Sequence, residues 1–196
     1  MELSKDTFED SIDSRLGERL KALRQAQRLT LDALAERAGV SRAMISRIER
    51  GEASPTAQLL NRLCAALDTT LSRFFAEEET QQDPLSRRDR QRVWRDPATG
   101  YRRRSVSPER TGSPVDVIEV EFPPGGRVVF DPHVFDSGVS QHVWILEGAM
   151  RLTSGETTHA LQAGDCLFMR LSDGQIFENP HAEPARYAVI LHRHEA

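Results

Sequence analysis

The segment from Leu31 to Gly51 constrains the fold more than any other. Leu31, Leu34 and Ala35 recur at helical spacing and stop at Ala38-Gly39-Val40, while Ile45 and Ile48 continue a second helical run that closes at Gly51. Thr30 and Ser41 stand where a hydroxyl caps the first turn of each helix, and Gly39 supplies a left-handed turn position. Two short helices joined by a tight turn are expected, with Leu34, Ala35, Val40, Ile45 and Ile48 packed and Ala35 small where the helices approach. Leu16, Leu20 and Leu23 predict a helix before this pair. Pro55 stands before a fourth helix holding Leu59, Leu60, Leu63, Cys64 and Leu67, and a short fifth follows around Leu71–Phe75.

Ser41, Arg42, Ala43, Ser46 and Arg47 lie outside that apolar set. The chain's formal charge is −4, which argues weakly against a polyanionic partner. The distribution argues otherwise: residues 14–75 carry eleven bases and six acids, residues 111–196 five bases and twelve acids. Phosphate neutralisation is local, so a basic module binds a polyanion despite an acidic total.

Residues 14–75 resemble the Xre/Cro/repressor-type helix-turn-helix family. The match rests on Leu23-Arg24, Leu34-Ala35, Gly39-Val40-Ser41, Ile48-Glu49-Arg50-Gly51 and Pro55. The resemblance implies double-stranded DNA as partner, with Arg42, Ala43 and Arg47 at base edges. It places Thr30, Ser41, Ser46 and Arg50 at phosphates or in support of such contacts. It also implies that Arg24 and Glu49 pair between the first and third helices as a structural brace. Arginine reads guanine O6 and N7 in bidentate fashion, so at least one G·C pair per half-site is expected, read by Arg42 or Arg47. A homodimer on a pseudo-palindromic operator is the expected arrangement.

Beyond the helices the texture changes. Residues 1–13 are expected as a flexible acidic lead, 14–76 as the helical domain, 77–104 as a linker and 105–196 as a β-barrel. The barrel is read from alternating runs at Tyr101–Ser105, Val115–Phe122, Val128–Phe130, His142–Leu146, Ala149–Thr153, Cys166–Met169 and Arg186–Leu191, separated by Gly- and Pro-rich turns. Pro124-Gly125-Gly126, Ile145-Leu146-Glu147-Gly148, Leu161-Gln162-Ala163-Gly164-Asp165 and Phe177-Glu178-Asn179-Pro180 occur in the order of a cupin, which this half resembles. The fold class expected is therefore α+β multidomain: an N-terminal all-α five-helix helix-turn-helix domain and a C-terminal all-β cupin double-stranded barrel. The Arg-rich stretches 87–90 and 102–104 have two readings, phosphate contact or a surface paired with acids of the barrel.

Cupin metal sites take two His and a Glu from the first motif and a His from the second. The resemblance places the Glu at Gln141 and the second-motif His at Gln175, and the preceding His pair is missing from His133-Val134-Phe135-Asp136-Ser137. A neutral amide is a poor ligand for Zn²⁺ or Fe²⁺. His133, Asp136, His142 and His159 remain as donors, but His142, adjacent to Gln141, faces the other side of its strand. No metal or other cofactor is expected. Gln141, Trp144, Gln175 and Phe177 are candidates for a small-molecule effector pocket, Trp144 the weakest because alternation puts it on the face of His142. A purely dimerising barrel competes with this reading. The alternative from another class is a cupin-type metal-dependent enzyme with a DNA-binding appendage.

Cys64 and Cys166 form no CxxC and are read as reduced, buried thiols. The N-terminus leads into acidic residues, no apolar run approaches a membrane span, and a cytoplasmic regulator, a repressor, is the expectation.

Overall fold

The computed structural model describes the backbone of residues 6–75, 83–108, 111–132, 139–171 and 173–193, and the side chains of these residues other than 6–14 and 193. The chain divides into two compact units, Met1–Phe75 and Ala76–Ala196.

The first unit holds five helices: α1 (Asp6–Ala26), α2 (Leu31–Ala38), α3 (Arg42–Glu49), α4 (Ala57–Ala66) and α5 (Leu71–Phe75). Residues 6–13, expected as a flexible lead, are thus the first turns of α1; residues 1–5 lie outside the described residues. Leu16 and Leu20 of α1, Leu34 of α2, Ile45 and Ile48 of α3, and Leu60 and Leu63 of α4 are buried in one core. Burying such side chains is worth about 1.5–3 kcal/mol each, which is why short helices of weak intrinsic stability hold together. At Gly17, α1 and α3 come so close that a Cβ would lie 2.2 Å from the Ile48 carbonyl oxygen.

Thr30, Ser41 and Thr56 accept hydrogen bonds from the amides of Ala33, Met44 and Leu59 and so start α2, α3 and α4. The C-terminal ends of α1, α2, α3 and α4 use one device. The residue in the left-handed region bonds back three residues, and the next residue bonds back five, as in a Schellman motif. Gly39 (φ 61°) and Gly51 (φ 71°) fill this position after α2 and α3, and Arg28 (φ 55°) and Asp68 (φ 49°) fill it after α1 and α4. At α1 the bonds run from Arg28 N to Gln25 O at 2.9 Å and from Leu29 N to Arg24 O at 3.0 Å. A side chain in this region costs about 1–2 kcal/mol, partly offset by the greater freedom a glycine has when unfolded. Arg28→Gly is therefore expected to raise stability by about 0.5 kcal/mol; a lowered Tm in thermal melts would contradict this.

The second unit is two antiparallel sheets. Its strands are β1 (Val93–Arg95), β2 (Arg102–Ser105), β3 (Val115–Phe122), β4 (Arg127–Phe130), β5 (Val139–Glu147), β6 (Ala149–Ser154), β7 (Thr157–Gln162), β8 (Cys166–Arg170), β9 (Gln175–Glu178) and β10 (Ala185–Arg193). One sheet runs β1-β2-β3-β10-β5-β8 and the other β4-β9-β6-β7. The four motifs singled out in the sequence meet in two pairs. Gly125 N donates to Asn179 O at 2.8 Å and Asn179 N to Gly126 O at 2.9 Å; Ala163 N donates to Gly148 O at 3.0 Å and Gly164 N to Ile145 O at 2.9 Å. Buried Asn179 locks its corner further, donating from Nδ2 to Glu183 O at 2.8 Å and accepting from His181 N at 3.1 Å.

The stretch expected as a linker, 77–104, is corrected in its second half. β1 and β2 pair as a hairpin and β2 pairs with β3, so both belong to the six-stranded sheet. The run Tyr101–Ser105 is the strand its alternation predicts, but the boundary at 105 left it in the linker: Arg103 is buried, whereas Arg102 reaches Glu121 at 2.8 Å and Arg104 reaches Glu119 at 3.3 Å. Arg88 also lies 3.8 Å from Glu119, so each stretch places at least one guanidinium beside an acid of the barrel. Trp94 and Tyr101 enter the core through a ladder of rings: Trp94–Tyr101 (5.7 Å), Tyr101–Phe122 (5.6 Å), Phe122–Tyr187 (6.2 Å), Tyr187–Phe177 (5.8 Å) and Phe177–Phe130 (5.7 Å). Burial pushes the phenols of Tyr101 and Tyr187 well above the usual range, so both stay neutral in the core. Cys64 is buried as expected, but Cys166 is exposed, because as the first residue of β8 it faces outward beside Trp144. No helix among the described residues is long and apolar enough to cross a membrane.

Candidate nucleic-acid interface

Helix α3 has two faces. Ile45 and Ile48 are fully buried and fix its rotation against the core. On the opposite side Ser41, Arg42, Ala43, Arg47 and the cap residue Arg50 are exposed, and Ser46 is half-exposed. The residues at 42, 43, 46, 47 and 50 recur at intervals of one and three, so they share one helical face. Thr30 is exposed at the start of α2. The hydroxyls of Thr30 and Ser41 accept the capping amides at 3.1 and 3.2 Å, which leaves each O–H as a donor for a phosphate oxygen.

The guanidiniums of this face are held to different degrees. Arg42 Nε lies 3.3 Å from Asp32 Oδ1 of α2, with both side chains largely exposed. Arg50 is gripped by Glu52, from Nε to Oε1 at 2.6 Å and from Nη2 to Oε2 at 2.7 Å, and it also donates to Ser46 Oγ. Arg47 Nη2 makes only a 3.5 Å contact to the Glu52 carbonyl oxygen. Arg47 is therefore the recognition-face cation that is most free to move onto a base edge. Asp32 and Glu52 escaped the sequence reading. The signal was present, in an acid two residues after Arg50 and another in the first turn of α2.

Behind the face, Arg24 and Glu49 join α1 to the last turn of α3. Arg24 Nε and Nη2 donate to the two carboxylate oxygens of Glu49 at 2.6 and 2.8 Å, and Nη1 donates to Leu29 O at 2.8 Å. The hydrogen bond to Glu49 holds the Arg24 guanidinium above its ordinary pKa. On the other side of the turn, Arg62 of α4 donates to the Gly39 carbonyl at 2.6 Å and pins the link between α2 and α3. These contacts restrain the turn between α2 and α3 and the C-terminal end of α3.

In the barrel, Gln141 and Gln175 are buried and meet across the two sheets, Gln141 Nε2 donating to Gln175 Oε1 at 2.8 Å. Gln175 Nε2 donates in turn to Arg170 O at 3.0 Å. The two amides are thus bonded to each other at the positions where the cupin resemblance puts a carboxylate and an imidazole. Phe177 is buried between Tyr187 and Phe130 as part of the ring ladder. Trp144 does not join them: it is exposed on the outer face of β5, as are His142 and, across the strand pair, Phe168. From Gln141 to Ile145 buried and exposed residues alternate along β5, which sends Gln141 inward and Trp144 outward. His159 lies on β7, in the other sheet from β5; His133 and Asp136 lie outside the described residues.

Comparison with known proteins agrees with this architecture. Residues 20–74 match the helix-turn-helix family and residues 118–191 the cupin domain family. The HTH-type transcriptional regulator SutR of Escherichia coli is 24% identical over 173 residues, covering 88% of this chain and 92% of SutR. The regulator SinR of Bacillus subtilis is 36% identical over 70 residues, 35% of this chain and 63% of SinR. A crystal structure of an HTH_3 family transcriptional regulator from Vibrio cholerae superposes with a TM-score of 0.73 at 25% identity, over 95% of this chain and 99% of that one. The exposed basic face of α3 on a rigid helical core, followed by a barrel, thus defines a DNA-binding transcriptional regulator. The chain carries an Xre-type helix-turn-helix domain followed by a cupin domain.

Proposed function

We propose that this regulator acts as a homodimeric repressor. It sets two copies of α3 in successive major grooves, about 34 Å apart, on a pseudo-palindromic operator. Arg42, Ala43 and Arg47 meet base edges, and Thr30, Ser41, Ser46 and Arg50 meet phosphates. The observation that carries this reading is the orientation of α3, whose buried Ile45 and Ile48 turn Arg42 and Arg47 outward. Binding to a duplex selected from a random pool, followed by fluorescence anisotropy, tests it. The expected result is a sequence-selective complex that weakens steeply with salt. Equal affinity for all sequences would overturn it.

The barrel is a small-molecule sensor in this proposal, with no catalytic role and no metal. The chemistry of its donors supports this: Gln141 and Gln175 are neutral amides that bond to each other. The pair offers hydrogen-bonding groups beside the rings of Phe177 and Phe130, which suits a small organic effector better than a cation. An effector switches the regulator only if it binds the free and operator-bound forms with different affinity. Purified protein is expected to hold no stoichiometric transition metal, and EDTA is expected to leave its Tm unchanged. A full equivalent of tightly held iron or zinc would overturn the metal-free reading and favour the cupin enzyme.

A further inference from the structure

Two acids, Asp32 and Glu52, stand beside the basic recognition face. A carboxylate beside the DNA repels phosphate, so Glu52 ought to weaken binding. Yet its backbone is held in place by the end of α3. Glu52 N donates to Arg47 O at 2.9 Å in the turn that closes α3, and Gly51 N donates to Ile48 O at 2.9 Å. That turn aims the Glu52 carboxylate at Arg50, which it grips through both oxygens at 2.6 and 2.7 Å. Ser46, one turn back, accepts from the remaining side of the same guanidinium. Arg50 is thereby oriented on three sides in the free protein.

The geometry points to Glu52 as a specificity-determining positioning residue, which withholds Arg50 from phosphates of unrelated DNA and releases or shares it only in the sequence-matched complex. Non-specific affinity is almost wholly electrostatic. A guanidinium already neutralised by a fixed carboxylate adds little to it. In the matched complex the full set of base and phosphate contacts holds α3 in register, and the oriented Arg50 meets its phosphate without a search through rotamers. Asp32 stands in the same relation to Arg42, at 3.3 Å and with more freedom, so its effect is the smaller one. The bond from Arg50 holds the Glu52 carboxyl below the usual carboxylate range, so this restraint is present throughout the neutral pH range.

The inference rests on α3 reading DNA, and its test separates the two. The full-length protein first selects a duplex from a random pool. Glu52→Gln and wild type are then titrated against that duplex and a scrambled one across a range of salt. Glu156→Gln, which removes an exposed acid from the β6–β7 turn, controls for total charge. Circular dichroism checks that each variant is folded. Removing one opposing charge is expected to tighten binding to the scrambled duplex about tenfold at roughly 0.1 M salt and to steepen its salt slope by about 0.9. Affinity for the selected duplex is expected to change far less, so discrimination falls by about tenfold. Equal gains on both duplexes would overturn the inference, since Glu52 would then act only as bulk charge. So would no change on either, or a loss on the selected duplex alone, which would make Glu52 a direct base contact. A wild-type protein that selects no sequence would overturn the DNA-reading assignment itself, and this inference with it.

Discussion

Glu49→Ala is expected to destabilise the helical unit by about 2 kcal/mol, below the cost of stripping one partner from a fully buried ion pair because Arg24 and Glu49 are part-buried. The pair is largely shielded, with side-chain exposures of 12% for Arg24 and 7% for Glu49. Alanine at 49 leaves the Arg24 guanidinium its bond to the Leu29 carbonyl at 2.8 Å but no counterion. Desolvation makes that arrangement costly, because a charge held away from water without its counterion loses more than one hydrogen bond. The effect on function extends beyond stability. Glu49 is the last residue of α3, and its link to α1 fixes the end of the helix that carries Arg47 and Arg50. Replacing both partners with apolar residues, Arg24→Met with Glu49→Leu, is expected to recover most of the lost stability, since the unpaired charge is gone. Chemical denaturation checks the stability of both variants, and titration with operator DNA checks their affinity. A single Glu49→Ala substitution that leaves the denaturation midpoint unmoved would contradict the account.

Arg47→Ala is expected to weaken binding to the selected operator by roughly 1–3 kcal/mol, about fivefold to 150-fold, and to relax preference at one base pair. The recognition-face cations differ in a way that singles Arg47 out. Arg42 is paired with Asp32 and Arg50 with Glu52, whereas Arg47 has no carboxylate bonded to it and meets the Glu52 carbonyl oxygen at 3.5 Å, with the Glu52 carboxylate acting on it only through space. A guanidinium with few prior partners gives up least when it turns to guanine. Competition titrations with single-base variants of the operator provide the check. If Arg47→Ala weakens binding equally on every variant, Arg47 contacts phosphate rather than a base.

Much of the helical unit was legible in the sequence because its signals are local. Gly39 and Gly51 mark helix ends, Thr30 and Ser41 mark helix starts, and the leucine and isoleucine spacing marks the buried side. Arg28 and Asp68 end helices in the same left-handed conformation without any such mark, since nothing in their type demands it. The barrel was legible where glycine turns punctuate it. The run Tyr101–Ser105 was legible as a strand, but its three arginines gave no sign that Arg103 is buried or that the strand belongs to the sheet rather than to a linker. The polar run of β7 likewise lacks an apolar signal, because the strand lies at the edge of its sheet. Gln141 and Gln175 could be placed separately by resemblance, but their mutual bond joins residues 34 positions apart on different sheets and belongs to the tertiary fold. Asp32 and Glu52 carry the same lesson for the DNA-facing side. An acid near a basic helix reads as ordinary surface until its distance from a particular guanidinium is known.

The central claim is that α3 reads a base sequence, and selection from a random duplex pool by the full-length protein tests it most directly. The account predicts an enriched pseudo-palindrome with a G·C pair fixed in each half-site and half-site centres about 10–10.5 base pairs, or a multiple, apart. The preference at that pair is expected to be lost in Arg47→Ala. A pool that yields no enriched sequence, or one whose enriched motif is unchanged when Arg42 and Arg47 are both replaced by alanine, would contradict it.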